Sequence, residues 1–383
     1  MTSRMALEAA QAPQAVARLL DTAGPAFDEL AAALHARPPQ SILTLARGSS
    51  DHAALYTGYL VMARLGQLVT SLPMSLVTLH RSRIACDGLL ALAFSQSGQS
   101  PDLIEPLREF GARGARTVAF VNDADSPLAR AAQRVFALQA GPETSVAATK
   151  SCLCQLAAGA AFVAAWEARG PLEARTAPAA RDSNLAEEPG EPGSRPTPGL
   201  RQALQQLPSH LELAARVDTT AALSGLLQAR QLYVIGRGTG WPVAMEMALK
   251  LKELCGVQAE AFSGAEVQHG PVALVEEGFT VLVLAPRGPA QAGLLELAAQ
   301  LRARGANVLL AAPADTPVTP VTPDTSGTPG TLAAQLPIVP TGDPELDPLS
   351  ALQSFYGLVE ALARARGLDP DTPRHLSKVT RTR

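Results

Sequence analysis

Two stretches of this chain, about half its length apart, spell one pattern. "LTLARGSSDHAAL" (43–55) returns as "YVIGRGTGWPVAM" (233–245), "LLALAFSQSG" (89–98) as "FTVLVLAPRG" (279–288), and "FGARGARTVAFV" (110–121) as "LRARGANVLLAA" (301–312). Gly48 and Gly238 stand 190 residues apart, as do Gly98 and Gly288, while Gly114 and Gly305 stand 191 apart. One spacing held across three separate motifs points to a duplicated unit. The 383 residues exceed one ordinary core and suit two.

Inside the first copy, apolar runs alternate with helical periods. "SILTLA" (41–46), "QLVTSL" (67–72), "GLLALAFS" (88–95) and "RTVAFVN" (116–122) read as strands. Residues 50–66 read as a helix closing on Gly66, and residues 100–114 as a helix with Ser100 at its N-cap and Pro101 at its first position. Strands alternating with helices predict an α/β fold: a mainly parallel sheet covered on both faces, built twice in the doubly wound manner. The units take residues 1–169 and 199–366. Residues 170–198, rich in Pro, Gly, Ala and Glu without period, read as a linker. The Pro/Thr-rich stretch 313–330 reads as a loop expanded inside the second unit, because the strand-like "QLPIVP" and a helix follow it. Residues 367–383 form a basic tail; Pro373, Leu376 and Val379 suggest that it packs down, with Lys378 in its middle.

Composition narrows the partners. Net charge is −3 with no basic block, so neither nucleic acid nor an anionic membrane is expected. Cys86, Cys152, Cys154 and Cys255 lie in apolar stretches without zinc-like spacing and read as small buried hydrophobes; no metal is expected. "MTSRMALEAAQAPQAVARLL" lacks a secretory apolar core, and no run reaches the ~18 apolar residues of a membrane helix. A cytoplasmic location is expected.

Ligands of open α/β sheets sit beyond the carboxyl ends of the strands. Two loops of the first unit lead there, "ARGSSDH" and "SQSGQSP", and both open helices. Helix N-termini offer free N–H groups and favour anions; Ser95, Gln96, Ser97 and Ser100 add small donors, and Gly98 gives the backbone room to approach a ligand. Capping accounts for Ser100 but not for the other three, so the loop reads as a phosphate cradle. The second unit has "APRG" at the same place, so the two copies no longer do the same work. Its helix 241–256 carries Glu246, Lys250 and Glu253 on one face at i, i+4 and i+7, among apolar residues. Residues 259–271 read as a loop holding His269.

"SQSGQS", "SVAATK", "EMALKLKELCGVQAEAFSGAEVQHGPVALV" and "DTPRHLSKVT" resemble the sugar-isomerase (SIS) domain family, in order, from about residue 25 to the end. The chain is similar to the isomerase half of glucosamine-6-phosphate synthase and to the stand-alone SIS-type glucosamine-6-phosphate deaminases. That resemblance implies two tandem SIS domains in a homodimer with shared active sites. It implies a sugar-phosphate site at Ser50, Ser95, Gln96, Ser97 and Ser100 with a backbone contact at Val146. It implies proton transfer between C1 and C2 by Glu253, supported by Glu246 and Lys250. It further implies ring opening by His269, which in the synthase reaches the neighbouring subunit's site, and a Schiff base on Lys378. Two positions depart from the pattern. Arg47 replaces a small residue beside the phosphate loop and can add a phosphate contact, and Ala148 replaces a sugar-contacting serine. The first cysteine, Cys86, falls inside the SIS region, so no glutaminase is expected. The expected activity is a deaminase of an amino sugar phosphate, glucosamine 6-phosphate to fructose 6-phosphate and ammonia, without cofactor and not glutamine-dependent. Galactosamine or fructosamine 6-phosphate, plain isomerisation, and a non-catalytic sugar-phosphate sensor are the alternatives.

Overall fold

The computed structural model describes residues 2–171, 199–316 and 335–378. Two helices lead in, α1 (Arg4–Ala10) and α2 (Ala12–Ala36). The first unit follows as β1 (Ser41–Leu45), α3 (Ser49–Leu65), β2 (Val69–Ser71), α4 (Ser75–Thr78), β3 (Leu89–Ser95), α5 (Pro101–Ala112), β4 (Arg116–Val121), α6 (Pro127–Ala131), β5 (Arg134–Ala137) and α7 (Lys150–Glu167). The second runs through α8 (Leu200–Ala214), α9 (Thr220–Leu226), β6 (Gln231–Gly236), α10 (Gly240–Cys255), β7 (Gln258–Ser263), β8 (Thr280–Leu284), α11 (Gln291–Ala303), β9 (Asn307–Pro313), β10 (Leu336–Ile338) and α12 (Asp347–Ala365).

Both sheets have five parallel strands in the same order. The first is β2-β1-β3-β4-β5; the second, read from its other edge, is β7-β6-β8-β9-β10. The repeat therefore extends to topology. It also extends to backbone conformation: Gly66 and Gly256, again 190 residues apart, both take left-handed geometry (φ 65° and 60°) and close α3 and α10.

Strand period sorts the core. Leu90, Leu92 and Phe94 of β3 join a central cluster, whereas Leu89, Ala91 and Ala93 join an outer one. In β8, Leu282 and Leu284 face the same central cluster and Val281 and Val283 a third, outer one. Each sheet thus covers its own outer core, and both share one between the units. Helix α7 fills that shared core; it is apolar nearly all round and almost wholly buried, as a central helix must be. Gly159 lets α3 lie against it, because a Cβ there would fall 1.9 Å from Thr57 Oγ1.

Two details differ from the sequence reading. Residues 258–263 form edge strand β7 rather than part of a loop; two 3₁₀ turns, Glu266–Gln268 and Pro271–Leu274, carry the chain onward. Ala259 alone of its first residues is fully buried, which hides a strand pattern from inspection. In the tail Pro373 is buried, but Leu376 is 47% exposed and does not pin the segment. Of the linker 170–198 all but the first two residues, of the Pro/Thr stretch 313–330 residues 317–330, and Val379 lie outside the described residues; Pro313 itself ends β9. The four cysteines are free and buried. No helix among the described residues is long and apolar enough to cross a membrane.

Candidate active site

Strand order reverses direction between β1 and β3 in the first sheet, so the loops leaving their carboxyl ends diverge and open a crevice. The crevice is a cleft of about 350 Å³. Ser50, Ser95, Gln96, Ser97 and Ser100 line it, joined by Arg47, Val146 and Ala148. Ser95, the last residue of β3, accepts a hydrogen bond from the Gly98 N–H (3.0 Å), and Ser97 Oγ accepts from Gln99 N–H (3.3 Å). Ser50 Oγ accepts from Gln155 Nε2 at 3.0 Å. These contacts shape the loop and leave the hydroxyl protons available as donors.

The loop corrects one expectation and adds a packing role to another residue. Ser100 occupies the N-cap position in extended backbone, yet its side chain makes no capping hydrogen bond. Gly98 also serves packing: its φ is 63°, and a Cβ would lie 2.1 Å from the Oγ of Ser126, the N-cap of α6. Arg47 is tethered, its Nε donating to the buried Asp102 carboxylate of α5 at 2.9 Å, while its side chain stays half exposed at the cleft wall.

The second unit supplies the opposite wall. Lys250 and Glu253 of α10 line the cleft. Lys250 Nζ lies 3.4 Å from Glu246 Oε1 and makes a short contact with Glu253 Oε2. The helical spacing thus forms a carboxylate–ammonium–carboxylate row. Glu246 sits beneath the cleft, 1% exposed, and its other oxygen meets His52 Nδ1 of α3 at 2.8 Å. Burial pushes the Glu246 carboxyl up, but Lys250, His52 and Ser49 outweigh it and hold the pKa below the usual carboxylate value. Burial likewise works against charge on Lys250, and Glu246 and Glu253 overcome it, so its pKa stands above the usual lysine value. Glu253 is the solvent-facing end of the row, with 21% of its side chain exposed.

The tail closes the cleft. Lys378 Nζ lies 3.0 Å from Glu143 Oε2, and Glu143 is fully buried. The same carboxylate accepts from the N–H of Thr149 (3.0 Å) and Ser151 (3.1 Å) and from Ser151 Oγ (2.6 Å), and so serves the unfilled N-terminus of α7. Burial pushes Glu143 up, but Lys378 and those donors bring its pKa below the ordinary value. Sequence reasoning missed Glu143. Its signal was an acidic residue in "GPETSVAATK" shortly before a helix start, with the partner lysine 235 positions away.

His269 is not brought to this cleft. It follows the first 3₁₀ turn, is exposed, and is absent from the cleft lining. Among the described residues no group of three or more His, Cys, Asp or Glu side chains is placed to hold a metal ion.

Comparison with known proteins agrees with this architecture. A family described as SIS domain matches residues 37–165 and 225–317, one segment in each unit. A crystal structure of a proposed phosphosugar isomerase from Silicibacter pomeroyi DSS-3 is 39% identical, with a TM-score of 0.81 over 97% of this chain and 100% of its own. Glutamine–fructose-6-phosphate aminotransferases (isomerizing) from Thermus thermophilus and Aeropyrum pernix are 33% and 35% identical over 91% and 88% of this chain. The chain spans about half the length of these curated relatives, 53% and 50%. They overturn the expected deaminase-type enzyme that excludes glutamine-dependent synthesis. That exclusion rested on where the first cysteine falls, which says nothing about where ammonia comes from. A glucosamine-6-phosphate deaminase from Thermotoga maritima is only 19% identical and speaks to fold alone.

Proposed function

Because this chain belongs to the SIS domain family, we propose that it isomerises a 6-phosphorylated hexose or amino hexose by moving a proton between C1 and C2. The observation that carries the reading is the meeting of three groups in one cleft: the hydroxyl-rich loops of the first unit, the Lys250–Glu253 pair of the second, and Lys378 of the tail. Ser50, Ser95, Gln96, Ser97 and Ser100 bind the phosphate, with the guanidinium of Arg47 as an added donor. Phosphate binding far from the reacting carbons orients the open-chain sugar. Glu253, the exposed end of the charged row, takes the proton from one carbon and returns it to the other. Lys250, kept cationic by two carboxylates, stabilises negative charge developing on the sugar oxygen. The Lys378 amine, once it gives up its proton, condenses with a ketose carbonyl to form an imine and release water. His269, outside its own cleft, serves the cleft of a second copy in a homodimer.

The names of the relatives support a phosphosugar ligand and isomerising chemistry. The test is incubation in D₂O with fructose 6-phosphate, glucose 6-phosphate and glucosamine 6-phosphate, each with and without ammonium, followed by NMR. Solvent deuterium should enter C1 or C2 of at least one sugar, and the ammonium arm reads whether nitrogen joins the ketose. No exchange with any 6-phosphohexose in either arm would sink the proposal.

A further inference from the structure

Helix α1 contacts both chain segments that carry the Glu143–Lys378 pair, at Thr144 and Ser145 on one and at Asp371 on the other. On one side is Glu8, 7% exposed. Its Oε1 accepts from Thr144 Oγ1 at 3.1 Å and from the Thr144 N–H at 2.5 Å. Its Oε2 accepts from the Ser145 N–H at 3.2 Å and from Ser145 Oγ in a short contact. Thr144 and Ser145 stand between Glu143, which binds Lys378, and Val146, which lines the cleft. On the other side, the first turn of α1 holds the tail. The N–H groups of Arg4 and Met5 donate to the Asp371 carboxylate at 2.9 and 2.8 Å, and Arg4 Nε pairs with it at 3.6 Å. Asp371 precedes Lys378 by seven positions.

Packing alone would explain Met5 and Ala9, which are buried against the shared core. It does not explain a buried carboxylate that takes four hydrogen bonds from two consecutive loop residues. A buried carboxylate is retained only where such donors compensate its lost hydration. We propose that α1 is a bracket for the site. Glu8 is a positioning residue that fixes the loop carrying Glu143, and Asp371 is one that fixes the tail carrying Lys378. Together they hold the Lys378 ammonium at the mouth of the cleft. The inference rests on Lys378 being a group of that site, as the isomerase reading has it.

The test uses the chain's own lysines, of which there are four: Lys150, Lys250, Lys252 and Lys378. Reductive methylation of the full chain, read residue by residue by mass spectrometry, reports the freedom of each amine. Lys252 is exposed and sets the reagent's rate; Lys150 and Lys250 are 2% and 1% exposed and report unfolding. Glu8→Gln presents an amide to donors that need an acceptor. It should raise Lys378 labelling roughly tenfold, the usual scale for a lost hydrogen bond to a charged group, with Lys150 and Lys250 still protected. Asp371→Asn should act in the same direction from the tail side, and Glu8→Asp should restore part of the protection. In turnover, Glu8→Gln should lower kcat more than it raises KM, because the hydrogen bonds of Glu8 go to Thr144 and Ser145 beside Glu143 rather than to the serine-rich loop. Should Glu8→Gln expose Lys250, Asp371→Asn decides alone. Wild-type Lys378 labelling in the folded variants overturns the bracket. Absence of turnover in the wild type would instead sink the isomerase reading, and the labelling comparison would stand apart from it.

Discussion

Lys250 faces two carboxylates of unequal standing, and that inequality predicts two different mutants. Glu246 is buried with it, while Glu253 reaches the cleft. Glu253→Gln leaves Lys250 its buried partner, so the fold should persist with a melting temperature close to wild type. Loss of the proton-transfer group should nevertheless lower kcat by about 10²–10⁴-fold. Glu246→Ala takes away the wholly buried carboxylate, leaving Lys250 paired with the part-exposed Glu253 alone and His52 without its partner; breaking a buried pair costs up to about 3–5 kcal/mol, and thermal unfolding should read it directly. Equal melting of the two variants would contradict this division. Arg47→Ala makes a third case: Arg47 lines the cleft from the first unit, so KM for a phosphosugar should rise about tenfold with kcat nearly unchanged. Steady-state kinetics at two ionic strengths would check it, since added salt should weaken the wild type more than the variant. At this scale the sequence was legible wherever spacing made the site. Glu246, Lys250 and Glu253 announce themselves by helical period on one helix. Glu143, Glu8 and His52 do not, because their partners lie 235, 136 and 194 positions away. Nothing local marks them as more than ordinary polar residues.

Elements place these groups, and α12 shows what burial does to an element's end. Asp347 opens that helix, where an acid is ordinarily favoured by the dipole. Here it is 1% exposed. Burial raises its pKa to about 6 despite hydrogen bonds from the N–H and hydroxyl of Thr341. Glu345 nearby is raised too, again chiefly by burial and against the pull of Arg64. A raised carboxyl binds its proton more tightly in the folded chain than in the unfolded one. Stability should therefore increase as pH falls from about 6 towards 5, the reverse of the usual acid trend. Below that range Glu143 and Glu246, both depressed, withdraw their contribution as they protonate. Melting temperature against pH should pass through a maximum near pH 4.5–5.5, and Asp347→Asn should flatten its neutral side. A monotonic rise from pH 4 to 7 in the wild type would refute the assignment. Elements were the most readable level, since β1, β3, α3, α5 and α10 lie within two residues of the sequence reading. The edge strand β7 was not, because a strand open on one side carries a mixed pattern that reads as loop.

The repeat foretold two units at the scale of the molecule; it did not foretell that they share one core. Pairing of α3 with α10 through His52 and Glu246 joins the copies beside the cleft, which the serine-rich loops of the first and Lys250 and Glu253 of the second both line. A duplicated fold can divide labour in this way because each copy keeps the same switch point, and only one needs to keep the hydroxyls. His269 brings in a second copy of the chain. It stands on the outside of its own unit, exposed and away from the cleft. In a twofold dimer, a residue that serves the other subunit's cleft makes each site depend on both chains. His269→Ala and Glu253→Gln then damage different partners of the same site. Co-expressed, half of the dimers carry one copy of each variant. In every such dimer one cleft holds both defects and the other holds neither. Activity should return to about a quarter of wild type, well above either variant alone. If His269 served its own cleft, every site in the mixture would hold one defect, and co-expression would give no more than the average of the two parents.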